Sequence, residues 1–367
     1  MQIDFFHERL KAKKIEKNLL TYTRSILRSG QYTNAIYVKK FEEQFGKINE
    51  AKYCAAVNTG TSALHLALIS LGIKKGDEVI LPSISFVASA AAVEYVGAKP
   101  IYVDINSEDW LMNVNKIENK ITRKTKAIMP VHLHGLICDM KKIKKIAKKY
   151  NLFVVEDASQ AHGSKYFGKN PGFYSDVATF SFYPAKNLGA IGEGGAIVTN
   201  NKKIHDRTKK LRAWSSGKNF FSEIGYNYRM PEFAAISLLV KLKFLKDDIK
   251  KRIKIASIFK KRIKIKSFSK FNDNEKKHSY HIFALTINKR DKVINEMKKI
   301  KIFCNTHYSY CLPHLKLFSN EKKNNYFFYG DNLSKKIISL PIYPDLKKKE
   351  IDYIIFHFNK IISRLKI

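Results

Sequence analysis

Cysteine is scarce in this sequence of 367 residues: Cys54, Cys138, Cys304 and Cys311 are the only four, with no close pair of the CxxC kind. That spacing speaks against a disulfide framework and for a reduced, cytoplasmic setting. Long apolar runs are missing too, since none reaches the roughly 18 residues of a spanning helix. The opening "MQIDFFHERLKAKK" lacks the basic-then-apolar layout of a signal peptide, so no membrane span or leader is expected. Acidic residues are few, 32 against 68 Lys and Arg, which leaves a formal charge of +36. Such a surface attracts polyanions. Yet the lysines are spread along the chain beside many Ile and Asn, and no zinc finger, RNA-recognition signature or basic arm accompanies them. The charge reads as compositional bias, and no specific nucleic-acid partner is expected.

What is present describes a globular protein, 45% hydrophobic and 27% charged, long enough to bury a sizeable core. From 53 to 200, short β-rich runs alternate with helical patterns. "YCAAVN" precedes "TSALHLALISLG", "DEVILP" precedes "SFVASAAAVEYVG", and "KPIYVDI" precedes "VNKIENKI". "KAIMPVHL" then precedes "DMKKIKKIAKKYN", and "LFVVED" follows. Apolar runs separated by helices predict an α/β fold with parallel strands covered on both faces, and ligands binding beyond the strands' carboxyl ends. After 163, "GSKYFG", "VATFSFYP" and "GAIVTN" look like hairpins closing the sheet, and one long helix is expected from Pro231. The organisation expected is a large domain over 1–245, with an N-terminal helical segment, and a smaller α+β domain over 246–367.

Among so many lysines one stands apart. Lys186 lies on a turn after "VATFSFYP" and before "GAIGEGG", four glycines in seven residues, instead of in a helical run such as "MKKIKKIAKKY". Five other features sit at strand ends or turns. Gly60, Thr61 and Ser62 stand where a helix begins, so free N–H groups and two hydroxyls suit a phosphate, although Ser or Thr there also serves simply as an N-cap. Asp157 ends a buried strand and needs a cationic or donor partner, such as a protonated pyridine nitrogen, unless it only caps the next turn. Gln160 can donate to a nearby ring oxygen. Phe86 is either core or a stacking platform, Ser181 places a further hydroxyl near the lysine turn, and "GEGG" lets backbone pass close to a bound group. Together these parts describe a site for pyridoxal phosphate, with a lysine amine to condense with the aldehyde and a carboxylate to keep the ring an electron acceptor.

"NTGTSALHLAL", "GDEVILPSISFVASAAAVEYVGAKPIYVDI", "VVEDASQAHGSKYFGK", "FSFYPAKNLGAIGEGGAIVTN" and "GYNYRMPEFAA" resemble the DegT/DnrJ/EryC1/StrS aminotransferases. The resemblance runs from "SGQYTNAIYVKKFEEQF" to "LPIYPDLKKKEIDYII". It implies a fold-type I pyridoxal phosphate enzyme that takes an amino group from L-glutamate for a nucleotide-linked keto sugar. It implies Lys186 as the cofactor-bearing lysine, Asp157 as the pyridine partner, Gln160 on the ring hydroxyl and Phe86 over the ring. Thr61, Ser62 and Ser181 would hold the phosphate, and Asn227 would reach the phosphate of a neighbouring subunit, which requires a homodimer with shared sites. "FYPAKNLGA" is similar to the branch making dTDP-linked 3-amino-3,6-dideoxyhexoses, for glycan or lipopolysaccharide precursors. In that branch Tyr183, His307 and Tyr308, with Lys218 of the partner subunit, would face the sugar; Ser309 stands where proline is common.

Rival readings have weaker support. A silent regulatory relative would lose the lysine or the aspartate, and both are present. A C4-acting enzyme of the same family more often differs after the lysine. The pair His132 and His134 in "VHLHG" can chelate, but no carboxylate or cysteine partner is evident, so no metal site is expected.

Overall fold

The computed structural model describes residues 1–6, 9–214, 223–318 and 327–367. Two helices, α1 (Arg9–Ser29) and α2 (Ile36–Ile48), lead into β1 (Tyr53–Val57), α3 (Gly60–Ser70), β2 (Glu78–Pro82), α4 (Val87–Tyr95) and β3 (Lys99–Val103). Then come β4 (Thr125–Ile128), α5 (Met140–Lys149), β5 (Phe153–Asp157), β6 (Lys165–Tyr166), β7 (Val177–Ser181), β8 (Gly195–Thr199), α6 (Lys202–Leu211), α7 (Glu232–Leu242) and α8 (Leu245–Arg262). The chain ends with β9 (Lys276–Lys277), β10 (Phe283–Thr286), α9 (Arg290–Lys299), α10 (Phe328–Lys336), β11 (Ile337–Leu340) and α11 (Lys348–Arg364).

The main sheet has seven strands in the order β1-β8-β7-β5-β4-β2-β3. Its pairs from β7 to β3 are parallel, whereas β8 runs antiparallel to both neighbours. Side chains alternate between two cores, as a doubly covered sheet requires. Val79 and Leu81 pack with α3 and α4 on one face, while Ile80 packs on the other with Ile143 of α5. Leu64, Leu66 and Leu68 of α3 are fully buried, each contributing roughly 1.5–3 kcal/mol. A separate cluster joins Ile3 to residues of α8, α9 and α11 around the antiparallel pair β10–β11.

Four expectations need correction. "VNKIENKI" forms two 3-10 turns instead of an α-helix; Asn113 accepts a hydrogen bond from the Asn115 N–H at 3.1 Å, a local bond that competes with helix propagation. The segment at 165–166 leaves the main sheet and pairs with β9. "VATFSFYP" supplies a strand parallel to β5 that then pairs antiparallel with β8, while "GSKYFG" does make a tight hairpin turn, Tyr166 and Lys169 exchanging backbone hydrogen bonds across 167–168. The long helix breaks at Lys243 and Phe244. The first half is buried nearly all round, whereas Asp247 and Asp248 begin the second, where acids favour a helix start.

Candidate active site

The carboxyl ends of β5 and β7 and the amino ends of α3 and α4 open on one cleft of about 660 Å³. Gly60, Thr61, Phe86, Asp157, Gln160, Ser181, Tyr183, Lys186, His307 and Tyr308 all line it. The topology explains the convergence, because parallel strands deliver their ends to one edge. Ser62 and Asn227 do not line the cleft, and Lys218 lies outside the described residues.

The α3 junction is built tightly. Thr59 is the N-cap: its Oγ1 accepts from the Ser62 N–H at 2.9 Å and lies 2.8 Å from the Ser62 hydroxyl. Ser62 is thereby engaged within the helix, and the N–H groups of Gly60 and Thr61 are the ones left at the cleft. Glycine is required at 60, where a Cβ would come within 2.5 Å of Ser181 Cβ. "GEGG" borders the cleft through Glu193, and its last glycine has a use within the chain: a Cβ on Gly195 would meet Thr59 O at 2.2 Å. That glycine lets β8 approach the α3 cap, a contact within the chain.

Lys186 follows a turn in which its N–H donates to Tyr183 O at 2.8 Å. It is half-buried by solvent contact, but protein crowds its amine. This desolvation lowers its pKa to about 8, against the opposing pull of the Asp157 charge. Three histidines stand within electrostatic reach. Burial, reinforced by the lysine's charge, holds His162 and His307 down to about 3 and His281 well below its ordinary value; His134 also acts on His307. At neutral pH these rings are therefore uncharged.

Asp157 is buried and held from two sides: Ser89 Oγ donates to one oxygen at 2.7 Å and the Ser159 N–H to the other at 3.1 Å. It caps the next turn and also faces the cleft, so the two readings of this residue coexist. Ser89 itself sits 2.7 Å from the Ser85 hydroxyl. Gln160 accepts from the His134 N–H at 2.6 Å and donates to the Tyr308 hydroxyl at 3.0 Å. Phe86 is 52% exposed at the cleft with its ring 6.0 Å from that of Tyr308, which removes the core reading. Burial raises the Tyr308 phenol well above its ordinary range.

The remaining sequence candidates part ways. His132 does have a carboxylate partner, Glu156, at 2.6 Å, on the strand face opposite Asp157. Its other ring nitrogen accepts from the Cys138 N–H at 3.3 Å, so both nitrogens are occupied within the chain. His134 braces the site instead, its Nε2 lying 2.7 Å from His307 O. Asn227 is exposed, its Oδ1 accepting from Arg229 at 2.8 Å.

Some cleft residues escape sequence reasoning. Ser89 carries a usable signal, a hydroxyl in an otherwise apolar helix that must find a partner when buried. Phe5, stacked on His307 at 5.3 Å, carries none, since the backbone pairing of Ile3 with Lys301 and Phe303 brings it there.

The residues fit pyridoxal phosphate. The cleft offers a nucleophilic amine, a carboxylate, helix N–H groups beside the Thr61 and Ser181 hydroxyls, and a buried His281 Nδ1 without a hydrogen-bond partner among the described residues. Among those residues no helix is long and apolar enough to cross a membrane.

Known proteins agree with this geometry. The model of the DegT/DnrJ/EryC1/StrS aminotransferase family matches residues 13–359. GDP-perosamine synthase of Escherichia coli O157:H7 is 38% identical over 333 residues, 89% of this chain and 90% of that one. The dTDP-3-amino-3,6-dideoxy-alpha-D-galactopyranose transaminase of Aneurinibacillus thermoaerophilus is 37% identical over 350 residues, 95% and 96% of the two chains. A crystal structure of NtdA from Bacillus subtilis with bound cofactor PMP superposes with a TM-score of 0.88 at 28% identity, covering 95% of this chain and 82% of that one. With cleft, fold and match in accord, this chain belongs to the DegT/DnrJ/EryC1/StrS aminotransferase family and is a sugar aminotransferase dependent on pyridoxal phosphate.

Proposed function

We propose that this enzyme transfers an amino group from L-glutamate to a dTDP-linked 3-keto-6-deoxyhexose, supplying an amino sugar for glycan or lipopolysaccharide precursors. The observation that carries the reading is the convergence of Lys186 and Asp157 on one cleft beneath the α3 terminus. Lys186 is the amine that holds the cofactor's aldehyde. With the donor in the cleft, Lys186 Nζ would move the proton at the donor's α-carbon, and the burial that lowers its pKa to about 8 favours the neutral amine this needs. When bound, pyridoxal phosphate supplies an electron sink for the bond that breaks. Asp157, oriented by Ser89 and Ser159, keeps the ring nitrogen protonated. The N–H groups of Gly60 and Thr61 and the hydroxyls of Thr61 and Ser181 take the phosphate, with Ser62 supporting them through Thr59. Gln160 bonds the ring hydroxyl, and Phe86 covers the ring.

Tyr183, His307 and Tyr308, which line the cleft, face the sugar; the family resemblance adds Lys218 of the partner subunit. Asn227, turned to the surface of its own chain, completes the phosphate site of a partner subunit in a homodimer. The similarity to "FYPAKNLGA" and to the dTDP-sugar transaminase favours dTDP and carbon 3. The similarity to GDP-perosamine synthase favours a second reading, a GDP-linked keto sugar. Incubation with glutamate and a panel of dTDP-, UDP- and GDP-linked keto sugars, read by mass spectrometry, separates them. Turnover confined to GDP sugars would remove the first reading.

A further inference from the structure

Away from the cleft, a second group of chemistry-bearing side chains gathers where the turn Leu312–His314 meets the first turn of α10. Cys311, His314 and Asp331 place one ligand atom each, all within 4.8 Å of one another. His314 Nε2 is 2.9 Å from Asp331 Oδ1, and the other Asp331 oxygen accepts from the Phe327 N–H at 3.2 Å. Cys311 is buried, Asp331 half-buried, and His314 exposed on the outer side. We propose that these three residues bind one divalent transition-metal ion of borderline softness, best exemplified by zinc, with a water completing a tetrahedral set.

The donor chemistry supports an ion of that class. Thiolate, imidazole and carboxylate are the three protein donors zinc accepts, at about 2.0–2.3 Å. Ligand atoms around one tetrahedral ion stand roughly 3.2–3.8 Å apart by that geometry. The three donors therefore need shifts of no more than about 1 Å, and the exposed His314 ring is free to make the largest.

Charge supports it as well. Among the described residues Asp331 pairs only with His314, and the neighbouring buried Asp104 makes no ion pair. Asp104 spends its oxygens on the N–H groups of Ile105, Tyr329 and Gly330. Thiolate and carboxylate together carry two negative charges, matched by a divalent ion. A metal takes cysteine as the thiolate, so the ion must displace the Cys311 proton.

The position gives the ion a use. Cys311 lies three residues after Tyr308, and the Leu312 N–H is bonded to Ser83 O at 2.8 Å, just ahead of Phe86. A metal clamping this turn to α10 would brace the segment carrying His307 and Tyr308.

The test is titration of the chelator-treated holoenzyme with Co²⁺ and with Zn²⁺. The expected result is one equivalent bound, the visible d–d bands of tetrahedral thiolate-coordinated cobalt, and their displacement by zinc. Cys311→Ser and Asp331→Asn should each weaken binding by about tenfold to a hundredfold or more while their metal-free melting temperatures stay near that of the parent. No tetrahedral cobalt spectrum at millimolar metal, or the same spectrum and affinity in Cys311→Ser, would overturn the proposal. If either variant fails to fold, His314→Ala, at the exposed ligand, replaces it: its loss must abolish or shift the cobalt bands, and unchanged bands and affinity refute the site.

Discussion

Replacing Lys186 by methionine in the cofactor-free protein should change stability in a way that depends on pH. The amine titrates near 8 in the fold instead of at its ordinary 10.5, because burial disfavours its charged form. That span, at about 1.4 kcal/mol per pH unit, sets an upper bound of about 3 kcal/mol on the cost of keeping it protonated. Residual solvent contact reduces this to about 1–3 kcal/mol. The sign follows from proton binding. Below pH 8 the amine is charged in both states and the full cost is present. Between 8 and 10.5 only the unfolded chain keeps the proton, so parental stability rises with pH. Above 10.5 the cost is gone. Urea unfolding at fixed chain concentration, at pH 7 and pH 10.5, isolates the effect because other groups cancel between parent and variant. Lys186→Met should gain about 1–3 kcal/mol over the parent at pH 7 relative to its standing at pH 10.5. A difference that stays flat with pH, or that moves the other way, would refute a desolvated lysine.

Three further outcomes follow from the contacts at Asp157 and from Asn227. Asp157→Asn should weaken cofactor binding by about 10- to 100-fold, the worth of a charged hydrogen bond at roughly 1.5–3 kcal/mol, and lose most turnover; near-parental kcat would confine the carboxylate to a capping role. Ser89→Ala should lower kcat about tenfold with KM for glutamate little changed and far-UV circular dichroism unaltered, whereas Ser89→Thr should recover much of the loss. Lys186→Ala and Asn227→Asp, each inactive alone, should regain partial activity when mixed and allowed to exchange subunits. No recovery on verified exchange would place Asn227 outside a shared site.

The strands and the lysine turn were legible in the sequence because apolar runs and glycine-rich turns are local signals. Where local signals compete, the structure departed from them. The asparagines after β3 broke a helical pattern into two turns, and an acid pair restarted a helix whose apolar face seemed continuous. Phe86 could not be assigned from sequence, because a core ring and a cleft ring look alike until the strands are ordered. Glu156 as the partner of His132 is a tertiary pairing, 24 residues apart, that no spacing rule reveals. The approach of Gly195 to Thr59 O depends on β1 lying beside β8, a non-sequential neighbour. Asn227 carries no local signal for its surroundings and is exposed in its own chain.

The central claim is that Lys186 carries the cofactor, and borohydride reduction of the pyridoxal phosphate-loaded protein followed by peptide mapping tests it most directly. The account predicts loss of the visible-edge absorption band and one cofactor-modified lysine, at position 186 in the peptide containing "FYPAKNLGA". A cofactor adduct mapped to any other lysine, with Lys186 unmodified, would contradict it.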